Sequence, residues 1–388
     1  MASYLVYLKC IFSQILIILV FMEGAIGKGC YTHIFSFGDS LADNGNLMHT
    51  WSLEEPPHFS LPPYGMTYFG RPTGRNSDGR LIIDFIAEGL GLPHVPSYFS
   101  NESRRDFSHG ANFAYPGATV VDVEFYAERG IHNFYSNNSL EIQLEWFKEL
   151  LSSLCGSNCD ELLKSSLILM GEIGGNDYNQ PLLYADKSID EVKTYVPVVI
   201  RAIGKAIEEV IELGGVTQMV PGSPPIGCFG FYLTFYHPIS KKEDYDPITG
   251  CHNLLNELAE YHNEVLKMEL ERLRKLHPHV NLVYADLYNS MLLLHQSPSE
   301  YGFKTTLMTC CGGGGPYNFN FTRKCGRHNT NVCDDPSSYI SWDGEHTTEA
   351  VHRLVAEGLL EGPYTTPRLQ TSCVSGGINV AYPSHVEL

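Results

Sequence analysis

The chain has 388 residues, 43% of them hydrophobic, which is enough for a large core. Its formal net charge is −18, and such a surface repels phosphate backbones and anionic lipids, which argues against nucleic-acid binding. An acidic balance serves solubility; the sharper reading is attraction of a cationic substrate.

The first residues read as a secretory signal. Lys9 supplies the positive region, residues 11–22 are apolar, and Ala25 and Gly27 are small residues suited to cleavage before Lys28. The apolar run falls short of the ~20 residues needed to span a bilayer, and no second such segment follows, so no stable membrane anchor is expected. The expected division is a signal peptide over 1–27 and a single domain over 28–388, with no linker and no internal repeat. Of 11 cysteines, Cys10 lies in the leader, which leaves an even set, as an oxidising compartment favours. Cys155 and Cys159, and Cys228 and Cys251, are plausible local pairs, while Cys310, Cys311, Cys325 and Cys333 cluster around a run of glycines. The vicinal pair and the irregular spacing fit zinc poorly, so disulfides are expected there, with connectivity open. Sequons begin at Asn101, Asn137 and Asn320. The tail His385-Val386-Glu387-Leu388 differs from an ER-retrieval signal at Val386. The expected compartment is extracellular (apoplast), with vacuole or ER as alternatives.

The predicted elements begin with a strand over 32–37. It stops at Gly38 and places Ser40 in the turn that follows, at the carboxyl end of a buried strand, where open α/β sheets bind ligands. Residues 51–79, rich in Gly, Pro and aromatics, read as a loop. Its Trp51, Phe59, Tyr64, Tyr68 and Phe69 suit an aromatic or alkaloid-like substrate, with packing over the sheet edge as the alternative. A helix is expected over 81–89. Gly117 follows in Ala114-Tyr115-Pro116-Gly117-Ala118, where a missing side chain lets a backbone N–H approach a substrate closely. The next helix spans 140–154, capped by Ser139, with Leu140, Leu144, Phe147, Leu150 and Leu151 on one face.

A strand over 167–170 then runs into Gly171-Glu172-Ile173-Gly174-Gly175-Asn176-Asp177. There the Asn176 amide can aim its NH2 at developing negative charge; a plain turn is the alternative. Further on, the pattern gives a helix over 189–213, a strand over 218–220, a loop over 228–246, a helix over 254–276, a strand over 280–285, a loop over 301–340 and a helix over 346–360. In Trp342-Asp343-Gly344-Glu345-His346 a carboxylate precedes a histidine by three residues at the start of that last helix. This spacing lets both side chains face one way, so Asp343 can hold one imidazole nitrogen while the other takes a serine proton. With 16 histidines, one His alone carries little weight. Strands alternating with helices predict a parallel sheet between helix layers, with loops over the strand ends forming the pocket. There is no phosphate loop and no dinucleotide fingerprint.

Gly38-Asp39-Ser40-Leu41, the Gly117 segment, Gly175-Asn176-Asp177 and Asp343-x-x-His346 together resemble, in order, the four blocks of the GDSL esterase/lipase family of the SGNH hydrolase superfamily. Arg75-Asn76-Ser77-Asp78-Gly79-Arg80, Pro224-Pro225-Ile226-Gly227-Cys228 and Cys310-Cys311-Gly312 further resemble its plant secreted branch. The resemblance implies a flavodoxin-like three-layer α/β/α sandwich with a central, mostly parallel sheet. It implies Ser40 as nucleophile, His346 as general base and then acid, and Asp343 as its orienting carboxylate. Oxyanion donors would be the Ser40 and Gly117 N–H groups and the Asn176 amide. The implied activity is carboxylic ester hydrolysis without metal or cofactor, on a small-molecule ester. Thr347 stands where a proline often follows the histidine, and Tyr115-Pro116 replace smaller residues; both bear on substrate preference. Small acetyl or hydroxycinnamoyl esters are favoured, with a cationic alcohol such as choline or an alkaloid as a further expectation. Alternatives are an acyltransferase using the same acyl-enzyme, a carbohydrate acetylesterase, a lipase, or a catalytically silent binding protein.

Overall fold

The computed structural model describes residues 30–371 except 53, 101–105 and 133–134. The expected leader, Asn101 and the C-terminal tetrapeptide lie outside the described residues. Tyr31–Leu369 form one compact unit; the other, Met1–Cys30 with Gln370–Leu388, is almost wholly outside them.

Among the described residues, eight strands occur in chain order: β1 His33–Ser36, β2 Gly110–Asn112, β3 Ser166–Leu169, β4 Thr217–Pro221, β5 Asn281–Ala285, β6 Cys311–Gly312, β7 Asn331–Val332 and β8 Thr365–Thr366. Six of them form one sheet in the order β2-β1-β3-β4-β5-β8. All its pairings are parallel except β5 with β8, and β6 and β7 make a separate antiparallel pair. Ile34, Phe35, Leu167 and Ile168 are fully buried. Continuous apolar runs of this kind belong to parallel strands covered on both faces.

The longer helices are α1 Ile82–Gly89, α2 Leu140–Cys155, α3 Gly175–Tyr184, α4 Val196–Glu212, α5 Asn253–Leu276, α6 Leu287–Gln296 and α7 Glu349–Leu360. They sort by mutual packing. α7 packs on α1 and α6, whereas α4 packs on α2 and α5. A mostly parallel sheet between these two sets is the expected three-layer α/β/α sandwich. From β1 the chain steps one way to β2 and the other way to β3, β4 and β5. The reversal leaves a crevice beyond the carboxyl ends of β1 and β3, the usual ligand position in such sheets. Ser40 follows β1, and Asn176 follows β3.

Several expected boundaries differ. The helix expected over 189–213 is two, Ile189–Lys193 and α4. Pro197 lacks an N–H and its ring excludes the carbonyl of residue 193, so one helix cannot continue through it. The helix expected from His346 begins at Glu349. Asp343–His346 instead form a turn closed by the Ser341–Thr347 bridge and by Trp342 N–H donating to the His346 carbonyl at 2.9 Å. The 228–246 loop contains the short helix Gly230–Tyr236. Ser139 holds the N-cap position of α2, but its hydroxyl donates to Asp122 at 3.1 Å rather than capping the helix. The strands β2 and β8 are too short to give a periodic signal.

The disulfides are Cys155–Cys159, Cys228–Cys251, Cys310–Cys333 and Cys311–Cys325, and Cys30 is disulfide-bonded as well. The C-terminal cysteine cluster is thus two nested cross-links within the 301–340 loop.

One buried side chain ties the helix layer to the turn after β1. Gln143 of α2 accepts from Gly38 N–H at 2.9 Å and donates to the Gly38 carbonyl at 2.8 Å. Gly38 has φ +146°, and a Cβ there would stand 3.1 Å from the Ala42 side chain and 3.2 Å from the Glu172 carbonyl. Gln143→Leu leaves the buried Gly38 N–H unpaired, while the Gly38 carbonyl keeps its bond from Tyr115 N–H at 3.0 Å, so unfolding free energy should fall by about 1–3 kcal/mol in urea titration. A change under about 0.5 kcal/mol would contradict this role.

Candidate active site

Ser40 sits in the turn after β1, half-buried, with its Oγ 2.8 Å from His346 Nε2. His346 Nδ1 lies 2.9 Å and 3.1 Å from the two carboxylate oxygens of Asp343. With Nδ1–H donating to Asp343, Nε2 is left to accept from the serine hydroxyl. The carboxylate has further donors: the N–H groups of Glu345 and His346 at 2.9 and 2.8 Å, and the Tyr64 hydroxyl at 2.7 Å. Burial acts to raise the Asp343 carboxyl, but the charge and hydrogen bond of His346 and the hydrogen bond from Tyr64 outweigh it and hold the group well below the usual carboxylate range. Burial acts to lower His346; Asp343, by charge and hydrogen bond, reverses this and raises it, with Glu345 adding in the same direction.

The segment Arg75–Arg80 braces this turn. The Ser77 hydroxyl donates to the Thr347 carbonyl at 3.0 Å, Glu349 N–H donates to Asp78 at 2.8 Å, and Arg80 N–H donates to Glu349 at 2.7 Å. Arg75 is fixed in turn by a buried pair of bonds to Asp84 at 2.7 and 2.8 Å.

The other expected donors line the same cavity as Ser40. Among the described residues, neither Ser40 N–H nor Gly117 N–H donates a hydrogen bond. Gly117 has φ +77°, and a Cβ there would press on the Tyr135 ring at 2.7 Å. The Asn176 amide donates to the Ala118 carbonyl at 3.0 Å and to Asp39 Oδ2 at 3.2 Å. The adjacent Asp177 accepts from Val120 N–H at 2.8 Å and Val121 N–H at 3.1 Å, which ties the Gly117 loop to the start of α3. Burial pushes the Asp39 carboxyl up to about 7, against the Leu41 N–H bond and the charge of His346.

Ser40, Gly117, Asn176 and His346 all line one cavity of about 340 Å³. Its aromatic wall is Phe59, Tyr135, Tyr184, Phe229, Phe231 and Tyr232. Of the aromatics singled out in the 51–79 loop, only Phe59 is among them. Tyr64 is buried against Trp342, Tyr68 and Phe69 stack under Arg80 and Arg75, and Trp51 donates to the Glu55 carbonyl. Their part is packing and, for Tyr64, holding Asp343. Tyr64 and Gln143 carry no sequence signal for these contacts, because their partners are far away along the chain. Asn137 is exposed, and the half-buried Asn320 accepts from Thr322 N–H at 3.0 Å. No helix among the described residues is long and apolar enough to cross a membrane.

A hydroxyl, an imidazole and a carboxylate in line, at the carboxyl ends of a parallel sheet and beside unspent N–H donors, have the parts needed for acyl transfer through serine. Residues 34–359 match the GDSL-like lipase/acylhydrolase family, and the chain belongs to it, as a carboxylic ester hydrolase. Among its relatives, a sinapine esterase of Brassica napus is 52% identical over 348 residues, covering 89% of each chain. Two Arabidopsis thaliana proteins named GDSL esterase/lipase are 51% and 50% identical, covering 90% and 89% of this chain and 89% and 91% of theirs.

The raised His346 has a consequence for pH. The imidazole must be neutral to accept a proton, so kcat/KM for a neutral ester should climb with pH along a limb centred above 6.5, the ordinary histidine value. The same pairing stabilises the fold below that value and is lost as pH rises through the raised one. A limb centred below 6.5 would contradict the arrangement.

Proposed function

We propose that the protein hydrolyses small acetyl or hydroxycinnamoyl esters through a Ser40 acyl-enzyme. Ser40 Oγ attacks the ester carbonyl as His346 Nε2 takes its proton, and Asp343 steadies the imidazolium. The Ser40 and Gly117 N–H groups and the Asn176 amide receive the oxyanion. The tetrahedral intermediate collapses, the acyl–alkoxy bond breaks, and His346 returns the proton to the leaving alcohol. Water then attacks the acyl-enzyme by the same route and releases the acid. The observation that carries this reading is the unbroken chain from Asp343 through His346 to Ser40, opening on a cavity with two N–H groups that donate to nothing described.

Both amide hydrogens of Asn176 are engaged in the free site, and the 3.2 Å bond to Asp39 is the longer. On this mechanism the oxyanion replaces Asp39 as acceptor, while Ala118 keeps the amide in place. We further propose that the chain is made with a cleaved leader over 1–27 and secreted as a single domain. Asn137 and Asn320 are its proposed glycan sites among the described residues, with Asn101 a third outside them.

Ser40→Ala should abolish covalent labelling by an organophosphorus probe, and labelling that persists would remove Ser40 from the role. Asn176→Ala should lower kcat by about 10²–10³-fold with the fold intact; wild-type turnover by the folded variant would exclude it as an oxyanion donor. The acyl preference is tested by a panel of acetyl, butyryl, sinapoyl and long-chain esters, with sinapine included because the Brassica napus relative is named for it. Faster hydrolysis of the long-chain members would favour a lipase instead.

A further inference from the structure

The wall of the cavity beside Ser40 carries an ion pair that the mechanism does not use. Lys324 is the one lysine or arginine on that wall among the described residues, and its Nζ lies 2.5 Å from Oε1 of Glu345. The two side chains are 28% and 25% exposed. Glu345 stands between Asp343 and His346 in the catalytic turn, so its charge is close to the base.

Lys324 reaches this turn through a closed ring of contacts. Cys310 N–H donates to the Ser341 carbonyl at 3.0 Å, and Cys311 N–H to the Trp342 carbonyl at 2.7 Å. The disulfide segment therefore starts alongside the residues that lead into Asp343. Cys311 is cross-linked to Cys325, and Lys324 directly precedes Cys325. On the other side Gly326 has φ +83°, and a Cβ there would stand 2.5 Å from the His58 carbonyl. Backbone fixed in this way lowers the entropy cost that cancels most of the gain from half-exposed ion pairs.

A carboxylate beside an imidazole favours the protonated ring, so Glu345 alone would delay the base to higher pH. Lys324 offsets that charge. Burial acts to raise the Glu345 carboxyl, but Lys324 outweighs it and holds the group below its usual range. The other groups that face the imidazole are Asp343 and Asp39, with His58 from the 51–79 loop and His352 from α7. Burial pushes His58 down to about 4 and His352 to about 3, so neither is charged near neutral pH. Tyr64, Tyr135 and Tyr184 face Glu345, and burial raises all three, so they are neutral there as well. Burial also pushes Asp39 up to about 7 and its neighbour Glu172 to about 8. Among these groups Lys324 is the one fixed cation.

We propose that Lys324 is a positioning residue for the Ser40 reaction: held at the cavity by the Cys311–Cys325 cross-link, it neutralises Glu345 and lets His346 act as a base in more acidic solution. This rests on the reading of Ser40 and His346 as nucleophile and base, and adds a residue that tunes the base without touching the substrate.

The test is the pH profile of kcat/KM for p-nitrophenyl acetate, a neutral ester, each variant being scaled to its own alkaline plateau. In K324M the rising limb should move up by about 0.5–1 pH unit, a loss of about three- to tenfold on the acid side. In E345Q it should move down by a similar amount. The double variant K324M/E345Q should return to within about 0.3 unit of the wild type, and K324R should stay there too, since it keeps the charge. Opposite shifts that cancel are a signature of charge, which a merely structural latch does not produce. A limb that stays in place in both single variants, or moves the same way in both, would overturn the proposal. If K324M fails to fold, E345Q and K324R still decide: an unmoved limb in E345Q, or a large upward shift in K324R, would overturn it. If the wild type neither hydrolyses the ester nor takes up an organophosphorus label, the ester-hydrolase reading itself fails. Hydrolysis and labelling with an unmoved limb in the variants remove only the role of Lys324.

Discussion

A carboxylate buried as deeply as that of Asp343 persists in ionised form only if donors surround it. Here they come from three places: two N–H groups of its own turn, the His346 ring and the Tyr64 hydroxyl. Tyr64 belongs to a loop near the start of the domain, and Asp343 lies near its end. The hydrogen bond therefore joins distant parts of the chain over the carboxyl ends of the strands. Once Asp343 is fixed, its ring partner has one free nitrogen, and that nitrogen lies 2.8 Å from Ser40. The bonds from Ser77, Asp78 and Arg80 to the His346 turn and α7 extend the same constraint outward.

The opposite side of the serine is organised by α3. Asn176 and Asp177 are adjacent, yet they point their polar groups at different parts of the Gly117 loop: Asn176 at the Ala118 carbonyl, and Asp177 at the Val120 and Val121 N–H groups. The loop and the helix start are thereby held as one body. On the proposed mechanism this matters because oxyanion donors contribute most when they need not reorganise during the reaction. Ser40 N–H, Gly117 N–H and the Asn176 amide are each positioned by backbone held from behind, through Gln143, Asp177 and Ala118 respectively.

Much of this was legible in the chain. The strands β1, β3 and β5 contain continuous apolar runs, β4 only the short Met219-Val220, and their alternation with helices predicts the parallel sheet. The site blocks were readable because each is local: Gly38 through Ser40, Gly175 through Asp177, and Asp343 with His346. What escaped was set by long-range packing. The start of α7 is decided by a β-bridge and by the bond that Glu349 N–H donates to Asp78, and neither leaves a periodic trace. Composition points to the 51–79 loop for the aromatic wall, but Arg75 and Arg80 occupy the faces of Phe69 and Tyr68. The wall that forms comes partly from Gly230–Tyr236, a short helix inside a stretch that read as a loop. The pairing of four clustered cysteines depends on the course of the 301–340 loop, which spacing does not determine.

The central claim is that the acyl group passes through Ser40. Its most direct measurement is rapid acid quench of the enzyme with an activated ester, followed by peptide mass spectrometry. The account predicts a burst of alcohol approaching one equivalent per chain and the mass of the acyl group on the peptide that contains Ser40. An acyl mass on another residue, or turnover with neither burst nor acylated peptide under conditions where deacylation is slow, would contradict it.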